Sequence, residues 1–89
     1  MAENLRFIVY TLEFCPNCEL LKACLTAKGH SYEEQDMSTA ENLTELRVNG
    51  VFVSEAPVLR LGDDFYTSAD LFASGRVRED VIDGIAAGE

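Results

Sequence analysis

The sequence predicts an α/β fold, a four-stranded mixed sheet flanked by helices, and three observations lead there. A β-branched and aromatic run, Phe7-Ile8-Val9-Tyr10, passes after Pro16 into a segment whose apolar residues repeat every fourth position. An extended stretch and a second helical one follow, and a helix between two strands returns the chain parallel to its first strand. Two apolar runs then flank Gly62-Asp63-Asp64, which suits an antiparallel hairpin. Both kinds of pairing in one small sheet make it mixed, with helices to cover its apolar faces.

The elements follow in order. Leu5 to Tyr10 lacks alternation and reads as a short strand covered on both faces. In the helix from Pro16, Leu20 with Cys24 and Leu21 with Leu25 make one apolar face, Glu19, Lys22 and Lys28 are left for solvent, and Gly29 ends it. His30 to Asp36 resumes an extended reading around Tyr32. Ser38-Thr39-Ala40-Glu41 has capping-box spacing for a second helix carrying Leu43, Leu46 and Val48, which Asn49-Gly50 ends. After Pro57, Val58 to Leu61 and Phe65-Tyr66 form the hairpin. Thr67-Ser68-Ala69-Asp70 caps a short third helix through Phe72 that stops near Gly75, and Val81, Ile82 and Ile85 outline a last one.

With 89 residues, 47 % of them hydrophobic, the chain has the size of a single domain over residues 1–89. So small a domain buries only roughly 60–65 % of the surface its unfolded form exposes, and the functional site should lie close to the core elements. Seven basic residues against sixteen acidic ones give a formal charge of −9, a field that repels phosphate backbones and anionic headgroups. Neither nucleic acid nor a membrane is expected as a partner. The same field would speed encounter with a protein whose docking face is basic, or serve solubility alone. Met1-Ala2-Glu3-Asn4 carries no basic region leading into an apolar run, and no stretch approaches the roughly 20 apolar residues of a membrane span. A cytoplasmic monomer is expected.

The chemistry-bearing segment is Phe14-Cys15-Pro16-Asn17-Cys18. Thiol–disulfide exchange needs one thiolate to attack and a second thiol near enough to resolve the mixed disulfide. Two intervening residues at a helix start provide both. With Cys15 at the N-cap and Pro16 first in the helix, the missing proline N–H costs nothing and its fixed φ starts the turn. The unpaired amides and positive helix end favour a thiolate on Cys15; cysteines in such pairs ionise at about 3.5 to 7, against about 8.5 for a free thiol. Cys15 is therefore assigned as nucleophile and Cys18, one turn further in, as resolving thiol.

Half of many zinc sites share this spacing, but zinc wants four ligands, and only Cys24 and His30 remain as further soft donors. Cys24, six residues past Cys18, faces about 240° around the helix and belongs to its apolar stripe. His30, after the helix-ending glycine, is placed to donate to the last carbonyls. No metal and no cofactor are expected.

With the redox pair between first strand and first helix, the sequence resembles the glutaredoxin family, and within it the small redoxins that supply electrons to ribonucleotide reductase. The likeness spans residues 5 to 85 and rests on Tyr10-Thr11-Leu12-Glu13-Phe14-Cys15-Pro16-Asn17-Cys18, on Ser54-Glu55-Ala56-Pro57-Val58, and on Gly62-Asp63 followed by Thr67-Ser68-Ala69-Asp70-Leu71. It implies a thioredoxin-like fold of the glutaredoxin type, a cis Pro57 facing the cysteines, and an Ala56 backbone that pairs with an extended substrate. The implied substrate groove comprises Phe14, Pro16, Asn17, Ala56, Pro57, Ser68, Ala69 and Asp70, with Ser68 and Asp70 serving equally as helix caps.

Departures from the family pattern sharpen what the resemblance implies. Where glutathione-using members carry a lysine three residues before the first cysteine, this chain has Leu12, with Glu13 beside it. Lost attraction and added repulsion should weaken capture of anionic glutathione. The Trp-Ser-Gly-Phe-Arg-Pro type segment of the ribonucleotide reductase donors is absent, and Tyr66-Thr67-Ser68-Ala69-Asp70 stands between the two patterns. The implied activity is reduction of protein disulfides, ribonucleotide reductase being a candidate target, with a protein dithiol or flavin-linked reductase as donor ahead of glutathione. A glutathione-dependent glutaredoxin is the alternative within the class. An iron–sulfur carrier is the alternative outside it, disfavoured by Pro16, where dedicated carriers usually have glycine.

Overall fold

The computed structural model describes residues 7–52, 55–62 and 64–88. Leu5, Ser54 and Asp63, each part of a segment singled out above, lie outside the described residues. The chain runs β1 (Phe7–Thr11), α1 (Pro16–Ala27), β2 (Tyr32–Asp36), α2 (Ala40–Val48), β3 (Val58–Leu61), β4 (Asp64–Tyr66), α3 (Ser68–Leu71), β5 (Phe72–Ala73), β6 (Arg76–Val77) and α4 (Glu79–Gly88). Among the described residues no helix is long and apolar enough to cross a membrane.

Four strands form one sheet in the order β2-β1-β3-β4. The α1 crossover lays β2 parallel to β1, with Val9 opposite Glu34 and Thr11 opposite Asp36. β3 runs antiparallel to β1 with Val9 opposite Leu59, and β4 turns back on β3. This is the expected mixed sheet flanked by helices, a thioredoxin-like α/β fold.

Alternation along the central strands divides the apolar residues between two faces. Phe7, Val9, Leu59 and Leu61 meet Leu21 and Leu25 of α1, Leu71 of α3, and Ile82 and Ile85 of α4 in the larger core. Tyr10 and Val58 point to the other face, where Met37, just after β2, and Leu46 of α2 close a smaller one. Arg60 on that face donates to the Tyr10 hydroxyl at 3.3 Å, pairs with Glu45 at 3.3 Å and lies over the Phe65 ring. The guanidinium is thus partnered where the thin core gives way to solvent.

Several expected details are corrected. The buried line of α1 is Cys18, Leu21 and Leu25, at i, i+3 and i+7, while Leu20 is 45 % exposed because the stripe is centred one residue away from it. Lys22 and Lys28 are not left to solvent: each side chain lies between two carboxylates, Glu19 and Glu34 for Lys22, Glu79 and Asp83 for Lys28. The N-cap of α2 is Thr39, whose hydroxyl accepts from the Asn42 N–H at 3.1 Å; Ser38 is drawn instead to the Asp36 carboxylate. Val48 is 77 % exposed and joins no core. The third helix ends at Leu71, and Phe72 begins a two-stranded ribbon whose turn places Ser74 and Gly75 at positive φ. Two-residue strands carry too little periodicity to be read in advance.

Candidate active site

The β1–α1 connection builds the site. Thr11 closes β1, and the chain turns through Phe14, whose φ of 56° lies in the left-handed region, before Cys15 returns to extended backbone. Cys15 is the N-cap of α1 and Pro16 opens the helix, so the first turn has amides with no intrahelical partner. One of them, the Cys18 N–H, donates to Cys15 Sγ at 3.0 Å. A sulfur here occupies the place that a serine or aspartate oxygen takes in an ordinary cap.

Cys15 and Cys18 form a disulfide with their Cα atoms 5.2 Å apart, within the ordinary range for such a bond. The two sulfurs are not equivalent. Cys18 is 1 % exposed and belongs to the buried line of α1, whereas Cys15 is only partly covered.

The segment before β3 approaches from the other side. The Ala56–Pro57 peptide is cis, as the family resemblance implies, and Pro57 is fully buried. The Ala56 carbonyl oxygen lies 3.7 Å from Cys15 Sγ. In the disulfide that sulfur has no proton and the approach is a contact; a reduced Cys15 thiol in the same place has an acceptor before it. The Ser68 hydroxyl, at the start of α3, donates to the Pro57 carbonyl at 3.1 Å and ties this segment to the third helix.

Two clefts open onto Cys15. One, of about 510 Å³, brings together Phe14, Cys15, Pro16, Asn17, Ala56 and Ser68 with Leu12, Glu13 and Glu55. Of the other residues expected in the groove, Pro57 is fully buried next to Ala56, Ala69 is exposed on α3, and the Asp70 carboxylate accepts from the Thr67 N–H at 3.0 Å as a helix cap. The other cleft, of about 850 Å³, lies toward β2 and adds Thr11, Glu19, Glu34 and Asp36. Sequence reasoning missed Glu34 and Asp36; the parallel register that sets them opposite Val9 and Thr11 is the signal that leads to them.

Carboxylates dominate the electrostatics. The Thr11 hydroxyl, 2.9 Å away, and then Lys22 hold the Glu34 carboxyl below its usual range. The Ser38 hydroxyl and N–H do the same for Asp36, and Glu19 and then Glu34 raise the Lys22 ammonium above the ordinary lysine value. Among the described residues no three His, Cys, Asp or Glu side chains are grouped as metal ligands would be.

Cys24 and His30 stand apart from this site. Cys24 packs against the larger core from a separate cleft, and burial, reinforced by Glu79, pushes its thiol up. The His30 ring meets Phe7 edge-on at 5.3 Å, and it is the backbone N–H of His30, rather than the imidazole expected there, that donates to the Leu25 carbonyl.

Comparison with protein-family models and with curated proteins returns no match for this chain. Fold and site therefore define the class by geometry. The chain has a thioredoxin/glutaredoxin-superfamily-like fold, with a Cys-x-x-Cys disulfide at the start of its first helix of the kind thiol–disulfide oxidoreductases use.

Proposed function

We propose that the protein reduces protein disulfides, with Cys15 as attacking thiol and Cys18 as resolving thiol. The observation that carries this reading is the asymmetry of the pair: Cys15 is partly open to solvent and its Sγ accepts the Cys18 N–H, while Cys18 is 1 % exposed. In the reduced protein the Cys15 thiolate attacks one sulfur of the target disulfide, forming a Cys15–target bond and releasing the other target sulfur as thiolate. The Cys18 thiolate then attacks Cys15 Sγ, forming the Cys15–Cys18 disulfide and releasing the second target thiol. Two electrons have passed to the target, and the protein is left oxidised.

Recharging needs two electrons from a donor, and we infer a protein dithiol or flavin-linked reductase ahead of glutathione. Leu12 and Glu13 line both clefts beside Cys15, where an anionic tripeptide meets no lysine or arginine among the described residues. Ribonucleotide reductase is the target that the sequence resemblance suggests. The test presents the oxidised protein separately to glutathione and to a thioredoxin-type reductase at matched ionic strength. Faster reduction by the protein reductase is expected; glutathione turnover equal to it or above would assign a conventional glutathione-dependent activity.

A further inference from the structure

The acid excess of this protein is unevenly spread over its clefts. The one beside Cys24 mixes Arg76 and Arg78 with Glu79 and Asp80. The two that open onto Cys15 are lined by Glu13, Glu19, Glu34 and Asp36 on one side and by Glu13 and Glu55 on the other, with no lysine or arginine among the described residues. Lys22 offsets only part of this charge, since it is shared between Glu19 and Glu34. Glu13, Asp36 and Glu55 have no cationic partner among the described residues.

An apolar feature stands beside these carboxylates. Phe14, next to Cys15, is 98 % exposed and holds a φ of 56°, a conformation unfavourable for a residue with a Cβ. No packing of the ring offsets that cost. An aromatic ring held outward beside a partly exposed cysteine, between acid-lined clefts, is what an apolar contact with a cationic surround requires.

We propose that this surface takes protein disulfides set in basic segments. Lysine or arginine flanking the target cystine faces Glu13 and Asp36, and an apolar target residue covers Phe14. The proposal rests on the thiol–disulfide reading above and adds the class of substrate to it. Opposite charge raises the encounter rate and holds the target over Cys15 Sγ, while acidic targets are repelled.

The experiment uses the full chain, reduced beforehand, so that no electron donor is involved. Single-turnover reduction is followed for two cystine peptides identical except for lysine or glutamate on either side of the disulfide. The lysine peptide should react about tenfold faster at low salt, and the difference should shrink as salt screens it. Glu13→Gln should lower that preference about two- to threefold, and Asp80→Asn, an equal change in net charge at the Cys24 cleft, should leave it unchanged. Phe14→Ala should slow both peptides alike. Equal rates, an acidic preference, a preference that responds to Asp80→Asn as strongly as to Glu13→Gln, or rates indifferent to Phe14→Ala would overturn the docking surface and leave the exchange chemistry standing. No exchange with either peptide would overturn the thiol–disulfide reading and the docking proposal with it.

Discussion

Helix α1 and its N-cap carry all three cysteines of the protein, and the two ends of the helix treat sulfur differently. At the N-terminal end Cys15 accepts an otherwise unpartnered helix amide, is bonded to Cys18 and is partly open to solvent. Cys24, two turns on, is a free thiol packed against the core, with burial and Glu79 opposing its ionisation. Position along the helix, not residue type, separates a reacting sulfur from a packing one: amides at a helix start stabilise a thiolate, and apolar surroundings destabilise it.

Removing the first sulfur should break this contrast most severely. Cys15→Ser should reduce disulfide reductase activity to background, whereas Cys24→Ser should keep the rate within about twofold, since exchange needs only the attacking and resolving pair. Steady-state turnover on a common protein disulfide compares the two.

The next largest effect falls on the buried side of the same helix. Leu21→Ala and Leu25→Ala remove fully buried side chains and should each cost about 2–5 kcal/mol. Leu20→Ala, at a half-exposed position one residue away, should change stability by about 1 kcal/mol or less. Urea unfolding of the three variants measures this difference.

Much of this arrangement was legible in the residues alone. Pro16 after Cys15 marked the helix start, the change of period at that point separated β1 from α1, and the hairpin announced itself through Gly62 between two apolar runs. These signals are local. What could not be read was set by tertiary contacts. Leu20 and Cys24 have the same i,i+4 spacing as Leu21 and Leu25, and only the position of the sheet beneath decides which pair is buried. Lys22 reads as a solvent residue until β2 brings Glu34 beside it. In the same way, the parallel register places Asp36 at the cleft beside Cys15.

A smaller effect concerns two lysine clamps on α1, one midway along the helix and one at its C-cap. Lys22 between Glu19 and Glu34 and Lys28 between Glu79 and Asp83 each tie the helix to a neighbouring element. The Glu34 carboxyl is held below its usual range, first by the Thr11 hydroxyl and then by Lys22. A carboxylate with a depressed folded pKa adds stability that is present above its unfolded pKa of about 4.3 and lost as pH falls through the folded value. Wild-type protein should therefore lose stability on acidification below about pH 4 more steeply than Glu34→Gln, by a few tenths of a kcal/mol as for other exposed pairs. Thermal melts of both proteins as a function of pH show the difference.

The asymmetry between Cys15 and Cys18 is the core of the account, and trapping tests it most directly. Reduced Cys18→Ser and Cys15→Ser proteins are each mixed with an excess of the same disulfide-bonded protein, and the adducts are weighed by mass spectrometry. Cys18→Ser retains the attacking sulfur and lacks the one that would release the target, so it should accumulate a one-to-one mixed disulfide through Cys15. Cys15→Ser should accumulate little, because Cys18 is buried beneath the first turn. Equal trapping by the two variants, or an adduct formed chiefly through Cys18, would contradict the assignment of Cys15 as the attacking thiol.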